Sequence, residues 1–364
     1  MTDAPLHVAI DGRELVGQPT GVGRYLVEIL RAWPTPPGVD RLSVVVPTEP
    51  QAATDLPANR VDWIVEPGAT GTWWEQTRLA SATRRLRPDV LFAPAYTAPL
   101  RVRCPTVLTV HDVSFMAHPE WFSWREGFRR RWLTRRSARR AAVVLTVSAF
   151  SKAEIVSRLG VPPDRIVVAP NGAPAPITPA PSGERAPIVL YVGSLFTRRR
   201  IPDLIRGFAI AARQVPDARL VLIGANRTHP PVDPVAIART LGVEHRVEWH
   251  AWVTDEERDG WYGRARVFAF LSDYEGFGLT PFEAIAHGAP AIVLDTPLSR
   301  EVYGTGARFV APTPAGIGDA LATLLTDRPA RAALLAEGQR QAARRPWSTT
   351  AAIVRETLVR AAHA

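Results

Sequence analysis

Short apolar runs, each about the length of one strand, alternate with helix-like patterns from one end of this chain to the other. That alternation restricts the fold more than any other feature, because strand–helix–strand repeats close into parallel sheets covered by helices on both faces. A first series occupies residues 8–10, 43–46, 90–93, 107–110, 143–147 and 166–169. A second begins at 188–192 and continues with 220–223, 247–249, 267–271 and 291–294. Between them, residues 173–187 are rich in proline and poor in apolar anchors, which reads as an interdomain linker. The expectation is an α/β chain of two doubly wound domains, 1–175 and 176–345, facing each other across a cleft. Residues 346–364 read as a terminal helix with Ser348 at its N-cap. Ligands of such sheets sit beyond the carboxyl ends of the strands, so the loops after these runs matter most.

At 364 residues the chain is long for one core and suits two. Its apolar fraction of 46% is that of an ordered globular protein. The single cysteine, Cys104, excludes an intramolecular disulfide and a thiolate metal site. The first residues include Asp3 and no continuous apolar stretch, so no signal peptide is expected. Nor does any run approach the roughly 18 apolar residues that a spanning helix needs. A cytoplasmic protein is the expectation. The net charge of +9 is carried by arginine, Lys152 being the one lysine. Arginine forks suit phosphates, nucleic acid and anionic membranes alike, and their abundance also follows from base composition. Charge alone decides nothing.

Chemistry concentrates in a few loops. Residues 272–283 read Ser-Asp-Tyr-Glu-Gly-Phe-Gly-Leu-Thr-Pro-Phe-Glu, placing Glu275 and Glu283 across a glycine turn into a helix. With Thr280 at the N-cap and Pro281 at the first helical position, amides and helix dipole would make an anion site. The same residues also read as a capping box, Glu283 merely satisfying the Thr280 amide. In the loop at 11–24, Gly21 and Gly23 allow backbone to approach a ligand at a helix start, although the spacing is not that of a dinucleotide fingerprint. The following helix would bury Tyr25, Leu26, Ile29 and Leu30. His111 and Asp112 follow a strand directly, which is compatible with a cap or with an imidazole at a cleft mouth. Ser151 and Glu154 have capping-box spacing. Asn171 lies in a Pro-Asn-Gly turn, and Gly193 opens a loop that reaches three arginines, 198 to 200, before a helix. Such arginine runs are commonly solvated turns. After the strand at 247–249, Trp252 reads as a core residue or part of a ligand loop.

Taken together, these segments resemble the family 4 glycosyltransferases, which are retaining, nucleotide-sugar-dependent enzymes of the GT-B fold. Glu275 and Glu283 match the E-x7-E motif of that family, and the resemblance runs over nearly the whole chain. It implies two Rossmann-like domains, with an N-terminal acceptor domain, a C-terminal donor domain and a terminal helix that crosses back onto the first. Thr109-Val-His-Asp-Val-Ser-Phe with His118-Pro-Glu-Trp-Phe is similar to mannosyl- and rhamnosyl-type members, in which the histidine lies beside the donor sugar. By the same resemblance His111, Arg198, Arg199 and Glu275 are catalytic. Gly21, Gly23, Asn171, Gly193, Gly278, Leu279, Thr280 and Glu283 line the donor, Glu283 on the ribose and Glu275 on the sugar. Two departures stand out: Arg199 replaces the lysine of the usual Arg-Lys pair, and Ala251 a glycine. No Asp-x-Asp pair occurs, so neither metal nor cofactor is expected. Retention of configuration is inherited from the resemblance, and its mannosyl character favours GDP-mannose over UDP- or dTDP-hexoses, with the acceptor unidentified.

Rival readings share parts of this pattern. A phosphorylase would need a lysine for pyridoxal phosphate, and Lys152 is a poor candidate at a helix start. A nucleotide-sugar epimerase has the same fold. Residues 121–140 interleave Trp121, Phe128 and Trp132 with arginines, as on a helix lying on anionic lipid at the inner face of the cell membrane. The simpler expectation there is that the aromatics pack inward. Nucleic acid is not expected, because no binding module is recognisable.

Overall fold

The computed structural model describes residues 5–17, 21–34, 40–49, 56, 61–177 and 185–364. Asp3, Thr20 and the middle of the expected linker, 178–184, lie outside the described residues. Two compact units emerge: Met1–Ala117, Trp124–Gly172 and Trp347–Ala364 form the first, His118–Ser123 and Ala173–Pro346 the second.

The first unit is built on strands β1 (His7–Asp11), β2 (Arg41–Val46), β3 (Val61–Val65), β4 (Val90–Ala93), β5 (Thr106–Thr109), β6 (Val143–Thr146) and β7 (Ile166–Val168). They form one sheet in the order β3-β2-β1-β4-β5-β6-β7, every neighbour parallel. All four residues of β4 and of β5 are buried, as expected where helices cover both faces. In the helix Gly21–Arg31, Tyr25, Leu26, Ile29 and Leu30 form the buried face that their spacing anticipates.

The second unit holds β8 (Ile188–Val192), β9 (Arg219–Ile223), β10 (Val247–His250), β11 (Val267–Phe270), β12 (Ala291–Leu294) and β13 (Arg308–Val310). Their order, β10-β9-β8-β11-β12-β13, is again wholly parallel. Both sheets therefore reverse direction between their first and fourth strands, the Rossmann arrangement.

Two strands escape the sequence pattern, both at sheet edges. β3 is broken by the exposed Asp62 and leaves Val65 exposed as well, and β13 is three residues long with Arg308 exposed, so neither presents the long apolar run of a central strand. What remains visible of the linker is tied down rather than loose. Ala173 N–H donates to Arg345 O at 2.8 Å and Ile177 N–H to Ala286 O at 2.9 Å.

The terminal helix, Trp347–Ala362, belongs to the first unit, where it buries Thr350, Ala351, Val354, Thr357, Leu358 and Ala361. Ser348 lies within this helix rather than at its N-cap. Arg355 grips the buried Asp40 through both nitrogens, Nε to Oδ2 at 2.6 Å and a terminal nitrogen to Oδ1 at 3.0 Å. Thr350 Oγ1 donates to Pro170 O at 2.6 Å. The helix thus crosses back from the end of the second sheet to complete the first unit.

Candidate functional site

In the second unit the reversal point lies between β8 and β11, and the loops that follow these two strands meet there. Asp273 N–H donates to Arg198 O at 2.9 Å, clasping the arginine turn to the acidic one. Glu275 Oε1 accepts from Arg198 Nε at 3.3 Å and Ser272 Oγ at 2.7 Å, and pairs with Arg199 at 3.0 Å. Each guanidinium lies over an aromatic face, Arg198 on Phe196 and Arg199 on Phe270, both 4.4 Å from the ring centroid. Arg200, at φ 51°, turns the other way onto Asp273 at 3.1 Å and Asp203 at 2.8 Å. The arginine run is thus not a solvated turn. All three side chains fold onto carboxylates, and Arg199 Nε is buried with no hydrogen-bond partner among the described residues. A guanidinium pair stacked on rings and held by one carboxylate is a preorganised receptor for an oxyanion.

The helix that follows runs Thr280–Ala286 with Leu279, not Thr280, at the N-cap. Thr280 Oγ1 is buried without a partner among the described residues, so the anticipated capping box is not closed from its side. Glu283 is buried and accepts from Tyr262 Oη at 3.0 Å. His287 stacks on Tyr262, ring centroids 5.1 Å apart, and its Nδ1 donates to Glu283 O at 2.8 Å. Gly278, at φ 91°, lets the chain pass Tyr303, whose hydroxyl donates to Gly278 O at 2.9 Å. Gly193 sits at the same sheet edge at φ 143°, with its carbonyl pressed against Gly224. Trp252 is no core residue, being 60% exposed.

In the first unit, His111 follows β5 and is buried. Its Nε2 lies 2.8 Å from Pro94 O, and because a carbonyl only accepts, Nε2 carries the proton and Nδ1 the lone pair. Burial lowers the pKa of His111, so the ring is neutral. Tyr25 meets it edge-on at 4.8 Å and Tyr96 at 5.5 Å. Asp112 caps the next turn through Ser114 N–H at 2.8 Å and accepts from Tyr96 Oη at 2.8 Å. Ser151 does not start a capping box; the N-cap is Ser148, and Ser151 Oγ instead donates to His111 O at 2.9 Å. Gly21 opens its helix with nothing among the described residues within 4 Å of where a Cβ would stand, and Gly23 is buried within the first turn. Asn171, buried after β7, has no hydrogen-bond partner for its Oδ1 among the described residues.

The sequence reading missed a cluster beside β1. Arg13 reaches Glu75 Oε2 at 2.7 Å, Thr97 Oγ1 at 3.0 Å and Asp11 Oδ2 at 3.2 Å, with both carboxylates fully buried. Burial pushes the Asp11 and Glu75 carboxyls up against the pull of Arg13. Asp11 and Arg13 stood in the first loop, but no spacing rule connects them to Glu75, 62 residues from Arg13.

Comparison with known proteins follows the same two-unit division. The family model described as Glycosyltransferase Family 4 matches residues 19–175, and that described as Glycosyl transferases group 1 matches 178–341. The O-antigen chain mannosyltransferase B of Escherichia coli is 27% identical over 65% of this chain and 64% of its own length. O-antigen chain mannosyltransferase RfbU of Salmonella typhimurium is 28% identical over 64% of this chain and 69% of its own length. The mannosylfructose-phosphate synthase of Agrobacterium fabrum is 33% identical over 36% of this chain and 30% of its own length. The matched region thus spans less than two thirds of the first and third of these relatives. Among solved structures, Anabaena HepE in complex with UDP and glucose superposes with a TM-score of 0.75 at 20% identity, covering 98% of this chain and all of that one. WaaG, a glycosyltransferase involved in lipopolysaccharide biosynthesis, gives 0.70 at 16% identity, covering 97% and 99%. At those identities the likeness is one of fold.

Proposed function

Because this chain belongs to the family 4 glycosyltransferases of GT-B fold, we propose that it moves a hexose from a nucleotide-diphosphate sugar to an acceptor hydroxyl with retention of configuration. The observation that carries this reading is the pair Arg198 and Arg199, stacked on rings and gathered by Glu275 at the reversal point of the second sheet. In the transfer the anomeric C–O bond breaks and its electron pair leaves with the diphosphate. The acceptor oxygen bonds to the anomeric carbon on the same face, and its proton passes to the departing phosphate oxygen. Arg198 and Arg199 would stabilise the charge gathering on that phosphate, and the buried Nε of Arg199 offers a donor not yet used. Glu275 would exchange part of its arginine pairing for sugar hydroxyls, and Glu283, held by Tyr262, would take the ribose. His111, neutral with its lone pair on Nδ1, is suited to accept from a hydroxyl of the donor sugar. GDP-mannose is the favoured donor, supported by the mannosyltransferase relatives. A thermal-shift comparison of GDP, UDP and dTDP tests this. At a hundredfold excess over Kd the true leaving nucleotide stabilises by about 2.7 kcal/mol, and Tm should rise by about 5–10 °C, most with GDP. No shift with any of the three would overturn the donor-site reading.

A second property is favoured by a specific surface. On the helix Trp124–Arg140, Trp124, Phe128 and Trp132 are 77%, 57% and 50% exposed rather than packed inward, and Trp73 is 66% exposed. Arg129 reaches Thr72 Oγ1 at 3.5 Å, placing the Trp73 turn beside this helix. Among the described residues no helix is long and apolar enough to cross a membrane. Aromatic side chains among arginines suit peripheral contact with an anionic bilayer, where the rings enter the interface and the charges meet phosphates. The protein should therefore sediment with vesicles containing phosphatidylglycerol and not with pure phosphatidylcholine. Replacing Trp124, Phe128 and Trp132 by serine should weaken that partition by on the order of tenfold or more. Equal sedimentation with both vesicle types would remove the idea.

A further inference from the structure

Three features of the first unit converge on one short loop. Pro94 to Thr97, after β4, receives His111 on its first carbonyl, at 2.8 Å from Nε2. Its other end is held by Arg13, which bonds Thr97 Oγ1 at 3.0 Å and approaches the carbonyls of Ala95 and Thr97 at 3.5 Å. Between them Tyr96 adopts φ 62°, uncommon for a residue with a side chain, while its ring flanks His111 and its hydroxyl bonds Asp112. Such a conformation persists only where the surroundings over-determine it. The anchor is unusual in composition. One arginine serves two buried carboxylates: Asp11 Oδ2 meets it only as an ion pair at 3.2 Å, and Glu75 Oε1 has no hydrogen-bond partner among the described residues. Glu75 also opens a π-helical stretch, Glu75–Leu79, a local irregularity of the kind found at functional sites. As a stability element the cluster is poorly made, since a buried ion group gains little over apolar packing.

We infer that Asp11, Arg13 and Glu75 form a positioning device for the transfer reaction, setting the Pro94–Thr97 loop and, through it, the orientation and tautomer of His111. This rests on the assignment of His111 to the donor sugar. The planar fork of Arg13 is what connects Glu75, Thr97 and two carbonyls at once, and a lysine cannot reproduce it.

The test uses the full chain in Arg13→Lys, Glu75→Gln, His111→Ala and the double variant Arg13→Lys/His111→Ala. Arg13→Lys and Glu75→Gln should each lower kcat per folded molecule by on the order of tenfold to a hundredfold, as expected for a misplaced contacting group. KM for the donor should change little. The double variant should be no slower than His111→Ala alone, because Arg13 acts through that ring. In labelled Arg13→Lys protein, the ¹⁵N signals of His111 should report a mixture of tautomers in place of the Nε2–H form. Where Arg13→Lys fails to fold, Glu75→Gln and Thr97→Val carry the same comparison. Unchanged kcat with only a lower Tm, or independent, additive losses in the cycle, would overturn the inference. Full activity in His111→Ala would instead overturn the assignment of the histidine itself.

Discussion

Arg199→Ala is expected to lower the maximal transfer rate by roughly a hundredfold to a thousandfold in a protein that still folds, the loss seen when one preorganised oxyanion donor is removed. Arg199 is fixed from two sides, by Glu275 at 3.0 Å and by the face of Phe270 at 4.4 Å, so its guanidinium needs little reorganisation as charge builds on a phosphate. Its Nε is buried with no hydrogen-bond partner among the described residues, which is costly for a donor. Arg199→Lys should recover part of the rate, because a point charge replaces the fork but loses the stacked plane. Steady-state kinetics with saturating donor, beside circular dichroism to establish folding, reads the outcome. An alanine variant with native kcat would remove Arg199 from the mechanism.

Gly278→Ala should destabilise the second unit by about 3 kcal/mol, from backbone strain and overpacking together. At φ 91° a side chain is disfavoured, and the new Cβ would stand 2.3 Å from Tyr303 Oη and 3.1 Å from Phe270. Phe270 also carries Arg199 on its face, so a shifted ring would disturb the site as well. A fall in Tm of about 6–12 °C is expected for a unit of this size. Adding Tyr303→Phe should restore part of the loss, because the closest atom in the collision is the tyrosine oxygen. A Gly278→Ala variant that melts with the parent would show that the turn has room that the geometry denies it.

Much of the architecture was legible because it is written in local periodicity. Buried parallel strands need continuous apolar residues, so the central strands stood out, whereas the edge strands β3 and β13 did not. The Gly21–Arg31 helix declared its buried face for the same reason. Residues of the candidate site were legible one loop at a time. Arg198 and Glu275 could each be placed after a strand, but their pairing across 77 positions could not be read from spacing. Local rules also misled where tertiary contacts compete with them. Thr280 looked like a cap and leaves the cap to Leu279, while Ser151 gives that role to Ser148 and bonds the His111 carbonyl instead. The aromatics of Trp124–Arg140 were expected inside and lie outside, because that helix buries Leu133, Thr134, Ser137 and Ala138.

By itself, then, the amino-acid order determined which segments become strands and helices, that two α/β units follow one another, and which loops end at strand tips. Those properties depend on neighbours a few residues apart. Only the folded structure decided which charges meet: Arg13 with Glu75, Arg198 with Glu275 and Arg355 with Asp40, the last 315 residues apart. Strand order sets those meetings, and strand order comes from burying whole sheet faces at once, a condition no single stretch of chain contains.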